Sequence, residues 1–259
     1  MYRKLLNLAL FTFISISSFA QADPPDSNFH LYLLIGQSNM AGRGPLDELG
    51  ATSNSKIVML DSLNQWVIAK DPVHFDKPKV VGVGPGLSFA NAMLEKNSRI
   101  KIGLVPCAWG GSPIKVWQPG ESYLSAHPYD DAIRRTKIAM QKGVLKGILW
   151  HQGESDNNPD KATKYLPQLV ALVKRLRSDL DQPELPFIAG EIGYFSRKNH
   201  INAFIDQLPD VIPHTMVVSA KGLQHKGDST HFDSPSARTL GVRYAKAMKQ
   251  LQSGAVISQ

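Results

Sequence analysis

Short apolar runs at His30–Ile35, Lys56–Leu60, Ile100–Val105, Gly147–His151, Phe187–Glu191 and Thr215–Ser219 alternate with helix-like segments along most of this chain. A strand that is apolar at consecutive positions has no face to give to water, so both faces need cover. Such runs separated by helices predict a parallel sheet held between two helical layers, the α/β class. Helices are expected over Pro85–Glu95, Asp130–Lys142 and Lys161–Leu180, with a last one from Ser234 to about Leu251. In the third of these, Leu166, Leu169, Val170, Val173, Leu176 and Leu180 recur at three- and four-residue steps, an amphipathic stripe. Asn158-Pro159 supplies an N-cap and a first-turn proline for it, and Ser234-Pro235 repeats that pairing for the last helix.

The N-terminus has a different character. Arg3 and Lys4 precede an apolar stretch, Leu5 to Phe19, then Ala20-Gln21-Ala22 and the polar break Asp23-Pro24-Pro25. That order describes a secretory signal peptide over residues 1–22, cut after Ala20 or Ala22, and so a secreted or periplasmic product. The stretch is too short and too interrupted by Ser and Thr to span a bilayer, and no membrane association beyond this leader is expected. No repeat or Gly/Ser linker divides residues 23–259, which are expected to form a single domain. The formal charge of +7 falls to +5 once the leader is set aside. The remaining basic residues are scattered, which argues against nucleic acid as a partner. The lone Cys107 excludes an intramolecular disulfide and a cysteine-built zinc site.

In doubly covered parallel sheets function collects at the carboxyl ends of the strands. The first strand runs into Gly36-Gln37-Ser38-Asn39, which puts Ser38 at the top of the sheet, as a nucleophile or merely a helix cap. A serine hydroxyl needs a base beside it to attack. Asp228-Ser229-Thr230-His231 can supply one, because an Asp three residues before a His can fold back onto Nδ1 and leave Nε2 as the base. Two other strand ends offer donors for a developing oxyanion, Gly110 or Gly111 through the backbone and Gln152 through its amide. Glu154 competes with Asp228 as the acid that orients His231. His151 and Glu154, with His225, Asp228 or His231, also raise a metal site. Their H-x-x-E spacing at a strand end is not that of the zinc-hydrolase helix, and no metal is expected.

Together GQSNMAGRG (36–44), GVGPGLSFA (82–90), IGLVPCAWGGSPIKVW (102–117), GILWHQGESD (147–156) and DSTHFD (228–233) resemble the SGNH hydrolase superfamily. Within it they are most similar to carbohydrate esterase family six, the acetylxylan esterases, and to the sialic-acid O-acetylesterases. The resemblance implies a flavodoxin-like three-layer α/β/α sandwich with a parallel sheet of about five strands in the order 2-1-3-4-5, Lys56–Leu60 being an accessory strand. It implies Ser38 as nucleophile, His231 as base and Asp228 as its acid. Ser38, a glycine of the Gly110-Gly111 pair and Gln152 would form the oxyanion hole, Gln152 standing where many members have asparagine. The expected activity is removal of O-acetyl groups from carbohydrate, acetylxylan or an acetylated oligosaccharide, without a cofactor. A sialic-acid O-acetylesterase is the alternative, and a non-catalytic glycan-binding protein on the same fold is the alternative of another class. Trp117, Trp109 and Arg43 are candidate sugar contacts, the tryptophans as stacking platforms or as core residues.

Overall fold

The computed structural model describes residues 24–51, 54–95, 99–195 and 199–254. The expected leader, 1–22, lies outside the described residues. Seven strands make one sheet: β1 (Asp26–Gly36), β2 (Ile57–Leu60), β3 (Trp66–Ile68), β4 (Lys101–Pro106), β5 (Gly143–His151), β6 (Phe187–Gly190) and β7 (Thr215–Val218). The helices are α1 (Ser38–Ala41), α2 (Glu48–Ala51), α3 (Gly86–Leu94), α4 (Pro128–Met140), α5 (Pro159–Asp179), α6 (Asn202–Ile205), α7 (Leu208–Val211) and α8 (Ser234–Gln252). Among the described residues no helix is long and apolar enough to cross a membrane.

The sheet order is β3-β2-β4-β1-β5-β6-β7. Counted without the accessory strand β2 and its neighbour β3, the remaining five strands stand in the expected order 2-1-3-4-5. The count of about five is corrected to seven. The unforeseen strand is β3, antiparallel to β2 and returned to it by a tight turn. There Asp61 Oδ1 accepts from Leu63 N and Gln65 N, both at 2.8 Å, and Asn64 takes φ +60°. Asp and Asn are the residues that support such a turn by local side-chain bonds and left-handed backbone.

β1 lies between β4 and β5 and is apolar at consecutive positions because both of its faces are covered. Leu31, Leu33 and Ile35 pack with α4 and α5, while Tyr32 and Leu34 pack with α3 and α8 on the other side. The caps follow local chemistry. Asn158 accepts from Lys161 N at the start of α5 as its position predicts. For α8 the N-cap moves one residue back: Asp233, not Ser234, accepts from Ser236 N at 2.8 Å. Ser234 donates instead to the Pro45 carbonyl.

Candidate active site

The site begins where β1 ends. Gly36 has φ +127°, and a Cβ there would sit 2.1 Å from the His151 carbonyl oxygen, so only glycine lets the ends of β1 and β5 meet. Gln37 N then donates to that same carbonyl at 2.8 Å, and Ser38 opens α1 directly above the sheet.

His231 arrives from the far end of the chain on the loop before α8. Asp228 Oδ1 accepts from Thr230 N (3.0 Å) and His231 N (2.8 Å), which closes a turn with Ser229 at φ +54°. Oδ2 of the same carboxylate accepts from His231 Nδ1 at 2.7 Å. A proton on Nδ1 leaves Nε2 as acceptor, and it lies 3.0 Å from Ser38 Oγ. Burial alone would raise the Asp228 carboxyl. The His231 backbone N–H, its ring and the Thr230 N–H outweigh that and hold it well below the usual carboxylate range. Ser38, His231 and Asp228 thus form one hydrogen-bonded line.

Asn39, which the motif contained but the sequence reading did not single out, holds the His231 loop in place. Its Oδ1 accepts from Phe232 N at 3.1 Å, and its Nδ2 donates to the Thr230 carbonyl at 3.0 Å. The same Nδ2 donates to Glu154 Oε1 at 2.5 Å. Of the two competing carboxylates, Asp228 reaches the His231 ring and Glu154 reaches Asn39. Burial pushes Glu154 up to about 6 against the Asn39 bond, which lowers it. His151 beside it, 3.7 Å away, is pushed down to about 3 by burial and is neutral. Among the described residues no group of three or more His, Cys, Asp or Glu side chains is placed to hold a metal. His225 is occupied by its own loop, accepting from Gly227 N and Ser229 N.

The glycine pair divides. Gly110 N donates to Asp76 Oδ2 at 2.8 Å, and Asp76 in turn is paired with Arg43 Nη2 at 2.6 Å. Gly111, at φ +87°, and Ser38 both line the cleft, and neither backbone N–H has an acceptor among the described residues. Asp76 carried no motif signal in the sequence, and only the fold brings it under this turn. Arg43, expected as a sugar contact, lies along the cleft wall with its side chain 4% exposed, committed to Asp76 and to the Gly42 carbonyl.

Gln152 is fully buried. Its Nε2 donates to Gln37 Oε1 (3.1 Å), the Ser112 carbonyl (3.2 Å) and Asp156 Oδ2 (2.6 Å), beneath the cleft rather than in it. Trp117 is corrected from sugar platform to core residue. It is 1% exposed, donates from Nε1 to Ser112 Oγ and meets Trp150 edge to face at 5.3 Å. Trp109 is half-buried and lines a separate cavity of about 110 Å³ with His74, Cys107 and Arg135. The Cys107 thiol there is pushed up to about 11 by burial and is inert. The Ser38 cleft itself encloses about 490 Å³ and is walled by Gln37, Gly111, Glu154, Lys77, Val80 and Lys226 among others.

The chain as a whole is similar to known proteins. The model of the family described as carbohydrate esterase, sialic acid-specific acetylesterase, matches residues 28–250. A probable carbohydrate esterase of Arabidopsis thaliana is 37% identical over 246 residues, spanning 86% of this chain and 90% of that protein. A solved Arabidopsis thaliana structure aligns with a TM-score of 0.76 at 36% identity over 87% of this chain and 99% of that one. The structure of NanS shares the fold, with a TM-score of 0.68 at 17% identity over 90% of this chain and 99% of that one.

Proposed function

This chain belongs to the carbohydrate esterase, sialic acid-specific acetylesterase family, and from that premise we propose that it is a secreted serine esterase that removes O-acetyl groups from carbohydrate. As a member of that family it is a carboxylic ester hydrolase. The observation that carries the finer reading is the line from Asp228 through His231 to Ser38 Oγ, at 2.7 and 3.0 Å, opening on one cleft.

In the proposed reaction Ser38 Oγ attacks the acetyl carbonyl while His231 Nε2 takes its proton. Asp228 keeps the proton on Nδ1 and stabilises the imidazolium that forms. The Ser38 and Gly111 N–H groups meet the tetrahedral oxyanion. His231 then returns its proton to the sugar oxygen, which would otherwise leave as a poor alkoxide. Water, deprotonated by the same histidine, attacks the acetyl-enzyme and frees acetate and Ser38. No step calls for a cofactor.

One observation favours the sialate variant of this reading. Lys77 and Lys226 line the cleft, and Lys77 has no acidic partner among the described residues, so a carboxylate-bearing sugar would find a cation at the mouth. Ser38→Ala is expected to abolish hydrolysis of an aryl acetate, and parent-level activity in that variant would sink the serine mechanism. Acetate release measured over acetylxylan, acetylated pectin fragments and O-acetyl sialic acids ranks the substrates. Glycan binding with no release from any of them would favour the non-catalytic alternative. Residues 1–22 as a cleaved leader and 23–259 as one domain complete the proposal, and the mass of the exported protein checks the cut after Ala20 or Ala22.

A further inference from the structure

Among the described residues two carboxyls line the Ser38 cleft, and the serine reading employs only Asp228. The other, Glu154, opens the short turn after β5 with its side chain 13% exposed. Its charge is decided by what lies behind it. His151 ends β5 fully buried, with Nδ1 3.1 Å from Tyr244 Oη. That phenol has one proton and donates it to the Trp150 carbonyl at 2.7 Å. His151 Nδ1 must therefore carry the proton of its bond to Tyr244. Burial keeps the ring neutral, so Nε2 is a bare lone pair. It has no hydrogen-bond partner and lies 3.7 Å from Glu154 Oε1. An acceptor faces an acceptor.

The other neighbours of Glu154 bring no positive charge. Tyr165 Oη is committed to the Gln152 carbonyl at 2.8 Å, as Tyr244 is to that of Trp150. Asp156, on the same turn, adds a like charge. Asn39 Nδ2 and the backbone N–H of Glu154 are its donors, and Oε2 is buried with no partner. Arg43 is taken by Asp76, while Lys77, Lys226 and His231 line the cleft outside ion-pair distance of Glu154. A carboxyl so placed keeps its proton beyond the ordinary range. Burial pushes Glu154 up to about 6.

We propose that Glu154 is a charge switch in the cleft wall, protonated in acid and anionic nearer neutrality, and that it sets how well the enzyme takes an anionic sugar ester relative to a neutral one. The inference rests on the serine-esterase reading and makes Glu154 a specificity-determining residue of that site. With the proton on, a carboxylate-bearing sugar meets Lys77 and Lys226 in the cleft. With the proton off, a second negative charge joins that of Asp228 and opposes the same sugar, while a neutral sugar is not repelled. His151 is the positioning residue behind the switch. By presenting a lone pair instead of an N–H, it withholds the hydrogen bond that would let the carboxylate form at lower pH.

The test compares kcat/KM for 4-acetoxybenzenesulfonate, an ester charged at every pH used, with that for neutral phenyl acetate. Parent and Glu154→Gln are measured, Ser38→Ala being run alongside. Protonation of His231 removes the base for both esters alike, so the ratio of the two reports charge in the cleft. In the parent that ratio should fall about threefold to tenfold between about pH 5 and about pH 8. In Glu154→Gln, whatever its absolute rate, the ratio should stay constant near the parent's acid value. A merely structural role would change both rates together and leave the ratio unmoved. The infrared difference between parent and Glu154→Gln should also show a carboxylic-acid carbonyl band at about pH 5 that is gone by about pH 8. A parent ratio independent of pH, a Glu154→Gln ratio that still falls, or the absence of that band in acid would overturn the switch. Activity retained in Ser38→Ala would instead overturn the serine reading, so the two failures are separable.

Discussion

Asn39 Nδ2 bridges Glu154 Oε1 and the Thr230 carbonyl, at 2.5 and 3.0 Å, so the second carboxylate of the cleft reaches His231 only through the loop that carries it. Asp228, by contrast, binds the ring itself and two N–H groups of its own turn. Asp228→Ala should therefore lower kcat by about 10³–10⁴. Glu154→Ala should cost about tenfold to a hundredfold, through displacement of Asn39. Steady-state rates on one aryl acetate decide between them, and the reverse order would refute the assignment.

The Arg43–Asp76 pair lies under the glycine turn with side chains 4% and 1% exposed. Asp76→Asn leaves the guanidinium buried without its counter-charge, a loss of about 3–5 kcal/mol by analogy with other broken buried pairs. It also leaves Gly110 N a neutral amide oxygen in place of a carboxylate, a weaker acceptor, so kcat should fall by about tenfold as Gly111 shifts. Chemical denaturation and kcat measured on the same preparation should move together. A variant that is destabilised but fully active would show that the turn is held by other contacts.

Trp117→Ala tests the correction from platform to core. Deleting a buried aromatic costs about 3–5 kcal/mol. KM for an acetylated oligosaccharide should stay near the parent value in whatever fraction remains folded. A KM rise without loss of stability would restore the sugar-contact reading.

Asp71 is a buried carboxyl whose two oxygens have no hydrogen-bond partner. Burial raises it to about 7, with Arg238 at 3.8 Å pulling down and Asp47 pushing up. A carboxyl raised in the folded state binds its proton there more tightly than in the unfolded chain, so the contribution of Asp71 to stability is full below the ordinary carboxyl range. It is lost as pH rises from about 4 to about 7. The loss is on the order of 4 kcal/mol at 1.36 kcal/mol per unit. Asp71→Asn should flatten that slope, read as denaturation midpoints across pH, and an unchanged slope would refute the assignment.

The fold was legible because its evidence is local. Consecutive apolar residues at Leu31–Ile35 require cover on both faces, and the stripe from Leu166 to Leu180 requires one covered face, whatever the rest of the chain does. Asn158 caps its helix by a bond within its own turn. Ser234 is the cap that its position before Pro235 predicts, but the fold gives that role to Asp233, because Ser234 Oγ is claimed by the Pro45 carbonyl. β3 went unread for a similar reason: a three-residue edge strand is too short to show a period, and only pairing with β2 defines it.

The reacting groups divide along the same line. Ser38 at a strand end and an Asp three residues before His231 are readable alone, since each needs only its neighbours in the chain. How the donors are shared is a matter of which atoms meet across the sheet. Asp76 takes the Gly110 N–H and leaves that of Gly111, Asn39 takes Glu154, and the Asp156 carboxylate holds the Gln152 amide beneath the cleft. A hydrogen bond between residues far apart in sequence exists only after the backbone has been folded, and each donor proton is spent on the acceptors that packing puts within reach. The sequence by itself therefore determined the sheet and the pair of segments that meet above it. The tertiary structure alone decided which amides remain free to act.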